Sequence, residues 1–335
     1  LATATTIMNL KQCILAGALV LFASIGFAQD PSFSQPFATP IYDNPAFTGT
    51  TKYRRGLRIS SQVFRQNNAF HFGSSTSSLL SYDNESSKNW GGFGLFVLRD
   101  NEAGGILVSN EICAAYSYEL LISRKLGLRL GISGGWAERN LDFDKNPEYQ
   151  GSLRNLIQAP GPFPPPNRVR TSRLNSGLLV YSRQWFASLG VNNIHQPEER
   201  LYENGRSQLS RRYNLKVGWE RKIESILGHT SNISVNATGN IQDNYKAFGL
   251  GSYLDVADLT TAIWYRRAQG NYWRTNVYSL MLGYTWKNFT LAYAIDASYS
   301  TPYNQPYSHS MSLTWNRYSS SGGRSWPRLL HTPRF

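Results

Sequence analysis

Charge and cysteine are both scarce in this chain of 335 residues. Only 16% of the side chains are charged, where an ordinary soluble domain carries about a quarter, so a solvated globular surface is under-supplied. Two cysteines are present, Cys13 and Cys113, and the first lies in the leader described below. The exported chain therefore keeps a single cysteine and has no internal disulfide, and one cysteine with scattered histidines builds no structural zinc site. Cys113, between Ile112 and Ala114, reads as a small apolar side chain rather than a reactive thiol. Beyond the first 30 residues no apolar run reaches the roughly 18 residues that a spanning helix needs. Aromatic residues, in contrast, are plentiful at 13%, which excludes a disordered chain.

The first residues read as a signal peptide. Met8 to Lys11 give a short basic start, Ile14 to Phe22 an apolar stretch, and Gly26-Phe27-Ala28 a small-x-small cleavage site before Gln29. Cys13 precedes the apolar core, whereas a lipoprotein cysteine would follow it. Lys11 is the only charged residue of the leader, so the exported chain carries a net charge of +12.

From about Leu57 the side chains alternate with period two, the signature of strands with two different faces. Phe289, Leu291, Tyr293 and Ile295 share one face, and Thr290, Ala292, Ala294 and Asp296 share the other. Tyr213, Leu215, Val217 and Trp219 alternate in the same way with Asn214, Lys216, Gly218 and Glu220. The pattern predicts about fourteen strands, near 57–66, 69–82, 91–100, 106–118, 126–138, 173–181, 185–192, 211–222, 229–239, 245–252, 259–267, 276–286, 288–297 and 307–316. An even count, an apolar face against a small-polar face, and aromatic strand ends (Trp90, Trp136, Trp185, Trp264, Trp273, Trp286, Trp315) predict an all-β, antiparallel transmembrane β-barrel of the outer membrane. The two longest connections, about 139–172 and 193–210, then face outward. The expected organisation is a signal peptide at 1–28, an N-terminal periplasmic segment at 29–56, the barrel at 57–316 and a basic tail at 317–335.

No chemistry emerges from the remaining side chains, so neither an enzyme nor a cofactor is expected. Asp142 with Asp144 and Glu198 with Glu199 read as solvated loop charge, and the five histidines form no metal-binding pair. The glycines from Gly131 to Gly135 lack the Lys-Ser/Thr ending of a phosphate loop and read as small residues facing a crowded lumen. The positive charge is assigned to lipopolysaccharide phosphates, acidic partners or the lumen, and not to nucleic acid. Pro160 to Pro166 read as a stiff outer loop.

The segment Gln29-Asp30-Pro31-Ser32-Phe33-Ser34-Gln35, followed by Pro40-Ile41-Tyr42-Asp43-Asn44-Pro45-Ala46-Phe47-Thr48-Gly49, resembles the mature N-terminus of PorP/SprF type IX secretion system membrane proteins. Gly92-Phe93-Gly94-Leu95, Leu189-Gly190-Val191 with Pro197, Trp264-Tyr265-Arg266 and the terminal Pro333-Arg334-Phe335 follow in the family's order, so the resemblance spans about Gln29 to Phe335. It implies a component of the secretion and gliding machinery that helps export or anchor a secreted surface adhesin with a C-terminal sorting domain, and that meets periplasmic secretion components. The alternative is a passive porin-like solute channel. The residues expected to contact a partner are Phe33, Gln35, Pro40, Asn44, Pro45 and Gly49, either as a contact surface or as a strap that closes the barrel. The tail, with Arg324, Arg328 and Arg334 and no acid, is expected to dock on an acidic periplasmic surface. A chain ending at Arg317 should lose partner co-purification in about 0.15 M salt; unchanged recovery would remove the tail from the interaction.

Overall fold

In the computed structural model the described residues are 30–50, 57–67, 74–85, 91–123, 125–145, 167–199, 208–226, 229–270, 273–301 and 307–317. The signal peptide, the proline-rich stretch and the tail arginines lie outside them.

Fourteen antiparallel strands follow one another: β1 (Leu57–Asn67), β2 (Ser74–Glu85), β3 (Gly92–Glu102), β4 (Leu107–Leu121), β5 (Gly127–Leu141), β6 (Asn167–Tyr181) and β7 (Trp185–Asn192) form the first half. The second half is β8 (Arg212–Ile226), β9 (His229–Gln242), β10 (Tyr245–Val256), β11 (Leu259–Gln269), β12 (Arg274–Trp286), β13 (Phe289–Thr301) and β14 (Tyr307–Arg317). Each strand pairs with its sequence neighbour, and β1 pairs with β14 from Leu57↔Arg317 to Gln66↔Ser308, so the sheet closes on itself. Closure removes both edges, which a lipid environment requires because it offers no partner to a free N–H or C=O. The long connections, 142–166 and 193–211, fall at one end, and that end is the outer face.

The two faces of each strand separate as the alternation predicts. Leu291, Tyr293 and Ile295 point outward and are exposed, while Ala292, Ala294 and Asp296 are buried inside; Tyr213, Leu215, Val217 and Trp219 face out, with Asn214 and Lys216 inside. A band of Leu, Ile, Val, Phe and Tyr thus faces lipid tails, and Ser, Thr, Asn and the lumenal ion pairs stay within the wall. Trp185 and Trp219, paired across β7 and β8, and Trp286 at the end of β12 stand on the outer surface near the periplasmic rim. Trp264 corrects the aromatic reading: its neighbours Ile263 and Tyr265 take the outer face, so the indole turns inward and is 3% exposed.

An arginine at the centre of the outward face should be far less tolerable than one in the lumen. Ile132→Arg, on the lipid face of β5, is expected to cost about 2–4 kcal/mol, read as a lower midpoint in urea-driven unfolding from lipid vesicles. An unchanged midpoint would place that face away from lipid.

Candidate functional site: a strap across the lumen

Residues 31–50 run through the interior of the barrel, and nearly all of them from Ser34 to Thr50 are buried. The sequence reading set 29–56 apart as a periplasmic segment; its described part instead lies inside the wall. Two short turns shape it. Pro40 opens helix α1 (Pro40–Asp43), and Pro45 opens a 3-10 turn, Pro45–Phe47, where a missing N–H costs nothing. The Asn44 side chain caps that turn by accepting from the Ala46 N–H at 2.8 Å.

The wall is shaped to receive this strap. Gly92, Ser117, Gly131, Gly177, Gly190 and Asn214 are successive partners across β3 to β8, so they form one continuous rung of the sheet. Residues 43–49 lie along that rung in order. Asn214 donates to the Asp43 carbonyl, and a Cβ on Gly190 or Gly177 would strike the strap at Asp43 or Asn44. A Cβ on Gly131 would overlap Pro45 and Ala46, and one on Gly92 would overlap Thr48. The Ser117 hydroxyl donates to the Thr48 carbonyl at 2.7 Å. Glycine within a strand often marks such a close backbone approach. Gly49 ends the run at φ +73°, a conformation that a side chain disfavours, and its N–H donates to Asp83.

Charged residues fix the strap at three places, the first being Gly49, whose N–H donates to Asp83 and whose carbonyl accepts from Arg129. Arg212 and Lys216 on β8 both pair with Asp43, and Lys216 also donates to the Pro36 carbonyl at 2.6 Å. Burial alone would push the Asp43 carboxyl up; the adjacent Lys216 and Arg212 outweigh it and hold the group below its ordinary range. Further along, Ser34 donates to Asp296, which also receives Arg266, and Arg266 donates to the Phe33 carbonyl. Gln35 bridges Ser310 and Ser312 on β14. Apolar anchoring comes from Phe37, whose ring meets Phe186, Tyr253 and Trp264 at centroid distances of 5.9 to 6.3 Å. Phe47 packs on Phe186, and Tyr42 on Phe96.

A second element enters from the outer side. The described part of the connection after β7 tucks Glu199 between Arg139 of β5 and Arg173 of β6, at 2.7 and 3.0 Å. Glu199 is 2% exposed, so it is no solvated loop charge. Leu209 from the same connection is buried as well. Cys113 faces the lumen, is fully buried and contacts Glu111. The run Gly131-Ile132-Ser133-Gly134-Gly135 spells Gly-x-Ser-x-Gly, the lettering of a hydrolase nucleophile elbow. It lies within β5 rather than at a strand-to-helix turn, and its Ser133 hydroxyl receives Asn175.

Of the six residues singled out from sequence, Gln35, Pro40, Asn44, Pro45 and Gly49 are buried in the lumen and Phe33 is half-buried against Tyr42. Their described contacts are with the strap itself and the barrel wall. Sequence reasoning missed Asp43, Phe37 and Phe47, whose partners lie more than a hundred residues away. Asp43 and Phe47 stand in the family-like segment itself, and the small-residue runs on β3, β5 and β7 signal the wall that receives it.

The chain matches the family described as type IX secretion system membrane protein PorP/SprF over residues 25–315. It belongs to that family and is an outer-membrane barrel component of type IX secretion. No curated protein sequence matches it. Similar solved structures include CdiB from Acinetobacter baumannii, at 9% identity and TM-score 0.49 over 78% of this chain and 60% of that one. The toluene transporter TbuX of Ralstonia pickettii gives 9% and 0.46 over 84% and 93%, and Omp33 of A. baumannii gives 7% and 0.44 over 79% and 99%.

Two substitutions should loosen the strap without opening the sheet. Asp43→Asn leaves Arg212 and Lys216 without their carboxylate partner, a loss of about 3 kcal/mol in strap binding; Gly177→Leu fills the slot under Asn44. Each is expected to raise single-channel conductance in planar bilayers above the wild type. Because the folded Asp43 carboxyl is held down, its contribution is complete above the ordinary carboxylate range and is lost as pH falls below about 4. Wild-type conductance should therefore rise only in that acid window, and the Asp43→Asn variant should lack the step. Equal conductance in all three proteins would mean that the strap does not occupy the conduction path.

Proposed function

We propose that the chain is an anchoring barrel, which helps export a secreted surface adhesin and holds it at the cell surface through the adhesin's C-terminal sorting domain. The observation that carries this reading is the occupied lumen. A strap bonded to the wall from β2 to β14, with Glu199 drawn in from the outer side, leaves the rims and outer connections as the working surfaces. Membership of a type IX secretion family supports the same assignment. A passive solute channel needs a continuous water path, and the strap lies across it.

The periplasmic side is proposed to meet secretion components where the strap emerges. Gly49 lies against Gly92, at the periplasmic start of β3, and β14 ends at the same rim. Phe33, Gln35, Pro40, Asn44 and Pro45 then serve partner contact indirectly, by fixing where the strap leaves the barrel. The tail arginines Arg324, Arg328 and Arg334 follow β14 and are proposed to add an acidic docking partner on that side.

Affinity purification of the tagged protein from outer membranes in mild detergent, followed by mass spectrometry, tests the reading. Recovery of a large exported surface protein together with secretion components is the expected result. Recovery of the barrel alone, with nothing captured by crosslinking, would overturn it.

A further inference from the structure

On the lipid-facing side of β10 to β14 the wall carries a groove of about 620 Å³. Leu250, Ile263, Leu280 and Ile295 stand around it, and the small side chains of Ser252 and Ala297 leave it hollow. The register sets what lies above. Leu250, Tyr265, Tyr278 and Ala297 form one rung, and the next rung toward the outer face is Phe248, Arg267, Asn276 and Tyr299. Beyond it come Lys246, Gln269, Arg274 and Thr301. Successive rungs on one face are two residues, or about 7 Å, apart along the strand. The ascending order is therefore aliphatic groove, tyrosines, cations.

The tyrosines form a joined layer. The rings of Tyr265 and Tyr278 lie 5.3 Å apart, those of Tyr278 and Tyr299 6.3 Å, and the Tyr265 hydroxyl donates to Asn276 at 2.9 Å. Such amphipathic rings mark the level where hydrocarbon gives way to head groups. Lys246, Arg267 and Arg274 are all exposed just above it, and none pairs with a carboxylate among the described residues. The adjoining connections 271–272 and 302–306 contain no acid, and Asp243, in the turn before β10, accepts from Asn244. The sector over β5 and β6 differs, since there Arg168 and Arg170 share Glu138.

We propose that this face binds one phosphorylated glycolipid of the outer leaflet, of the lipid A type, with an acyl chain in the groove and its phosphates on Lys246, Arg267 and Arg274. Charge complementarity and position select this occupant. The cations stand on the outer rim, directly above an acyl-sized hollow, and Lys246 and Arg274 are two strands apart, about 10 Å. A disaccharide head group bearing phosphates at both ends spans such a gap, whereas a single phosphodiester does not. The site rests on the barrel and its orientation, and is independent of the anchoring role.

Native mass spectrometry of the intact protein in mild detergent, titrated with bis-phosphorylated lipid A, dephosphorylated lipid A and phosphatidylglycerol, tests the proposal. The expected result is one bound lipid A, held about tenfold better than its dephosphorylated form and better than phosphatidylglycerol. A Lys246→Ala/Arg267→Ala/Arg274→Ala variant that keeps the heat-modifiable gel shift of a folded barrel should lose that preference, and Ala297→Trp, which fills the hollow, should weaken all three lipids. Equal retention of lipid A with and without phosphate by the wild type would overturn the phosphate site without any variant. Equal retention of phosphatidylglycerol would overturn the glycolipid assignment, and an unchanged preference in the folded triple variant would overturn the role of the three cations.

Discussion

A rung of small residues, in register from Gly92 on β3 to Asn214 on β8, lets the turn-shaped N-terminal segment lie close against the inside of the barrel. The lumenal contacts follow from that fit. A buried backbone must find partners for its N–H and C=O groups, and the strap finds them on Asp83, Ser117, Asn192 and Asn214. Were any of Gly131, Gly177 or Gly190 larger, the strap would stand away from the wall and those bonds would lengthen together.

The charges are distributed by the same logic. Within the lumen each described cluster has both signs: Arg212 and Lys216 with Asp43, Arg266 with Asp296, Arg139 and Arg173 with Glu199. Arg139, Arg173, Arg212, Lys216, Glu199 and Asp296 are all buried, so an unmatched charge among them would be costly. Exposed cations appear instead at both rims, Lys246, Arg267 and Arg274 on the outer side and Lys125, Arg183, Lys222 and Lys287 on the periplasmic side, where lipid phosphates or solvent can neutralise them. A net positive chain and a packed interior of paired charges are therefore compatible, and the overall charge speaks mostly about the two rims.

Much of the architecture was readable in the alternation, because a period of two is forced on any strand with lipid on one side. All fourteen expected strands are present. The boundaries moved where the environment changes along a strand. β6 begins at Asn167 and not near 173, because Arg168, Arg170 and Ser172 on its outward face lie above the hydrocarbon and break the apolar pattern. Trp264 was misjudged from its residue type, although the parity of Ile263 and Tyr265 already turned it inward. Glu199 was misjudged because a loop acid is ordinarily solvated, and its two arginine partners sit on strands 26 and 60 residues earlier. The strap's prolines, Asn44 and Gly49 stood out as an ordered non-strand segment. Its anchors Asp43 and Phe37 did not, since their meaning lies in Arg212, Lys216, Tyr253 and Trp264, which only the closed barrel brings near.

The central claim is that the N-terminal segment occupies the lumen against the small-residue rung, and a disulfide between strap and wall tests it most directly. An ideal Cβ at Gly190 would lie 3.1 Å from the Asn44 Cβ and 2.5 Å from the Asp43 carbonyl oxygen, so the strap has to step back by about 1 Å, which brings the two Cβ atoms to the separation that a disulfide spans. In an Asn44→Cys/Gly190→Cys chain with Cys113 replaced by Ala, the bond should form spontaneously in isolated outer membranes and protect both thiols from maleimide. Two freely alkylated thiols and no bond, in a barrel that still shows its folded gel shift, would mean that the segment lies elsewhere.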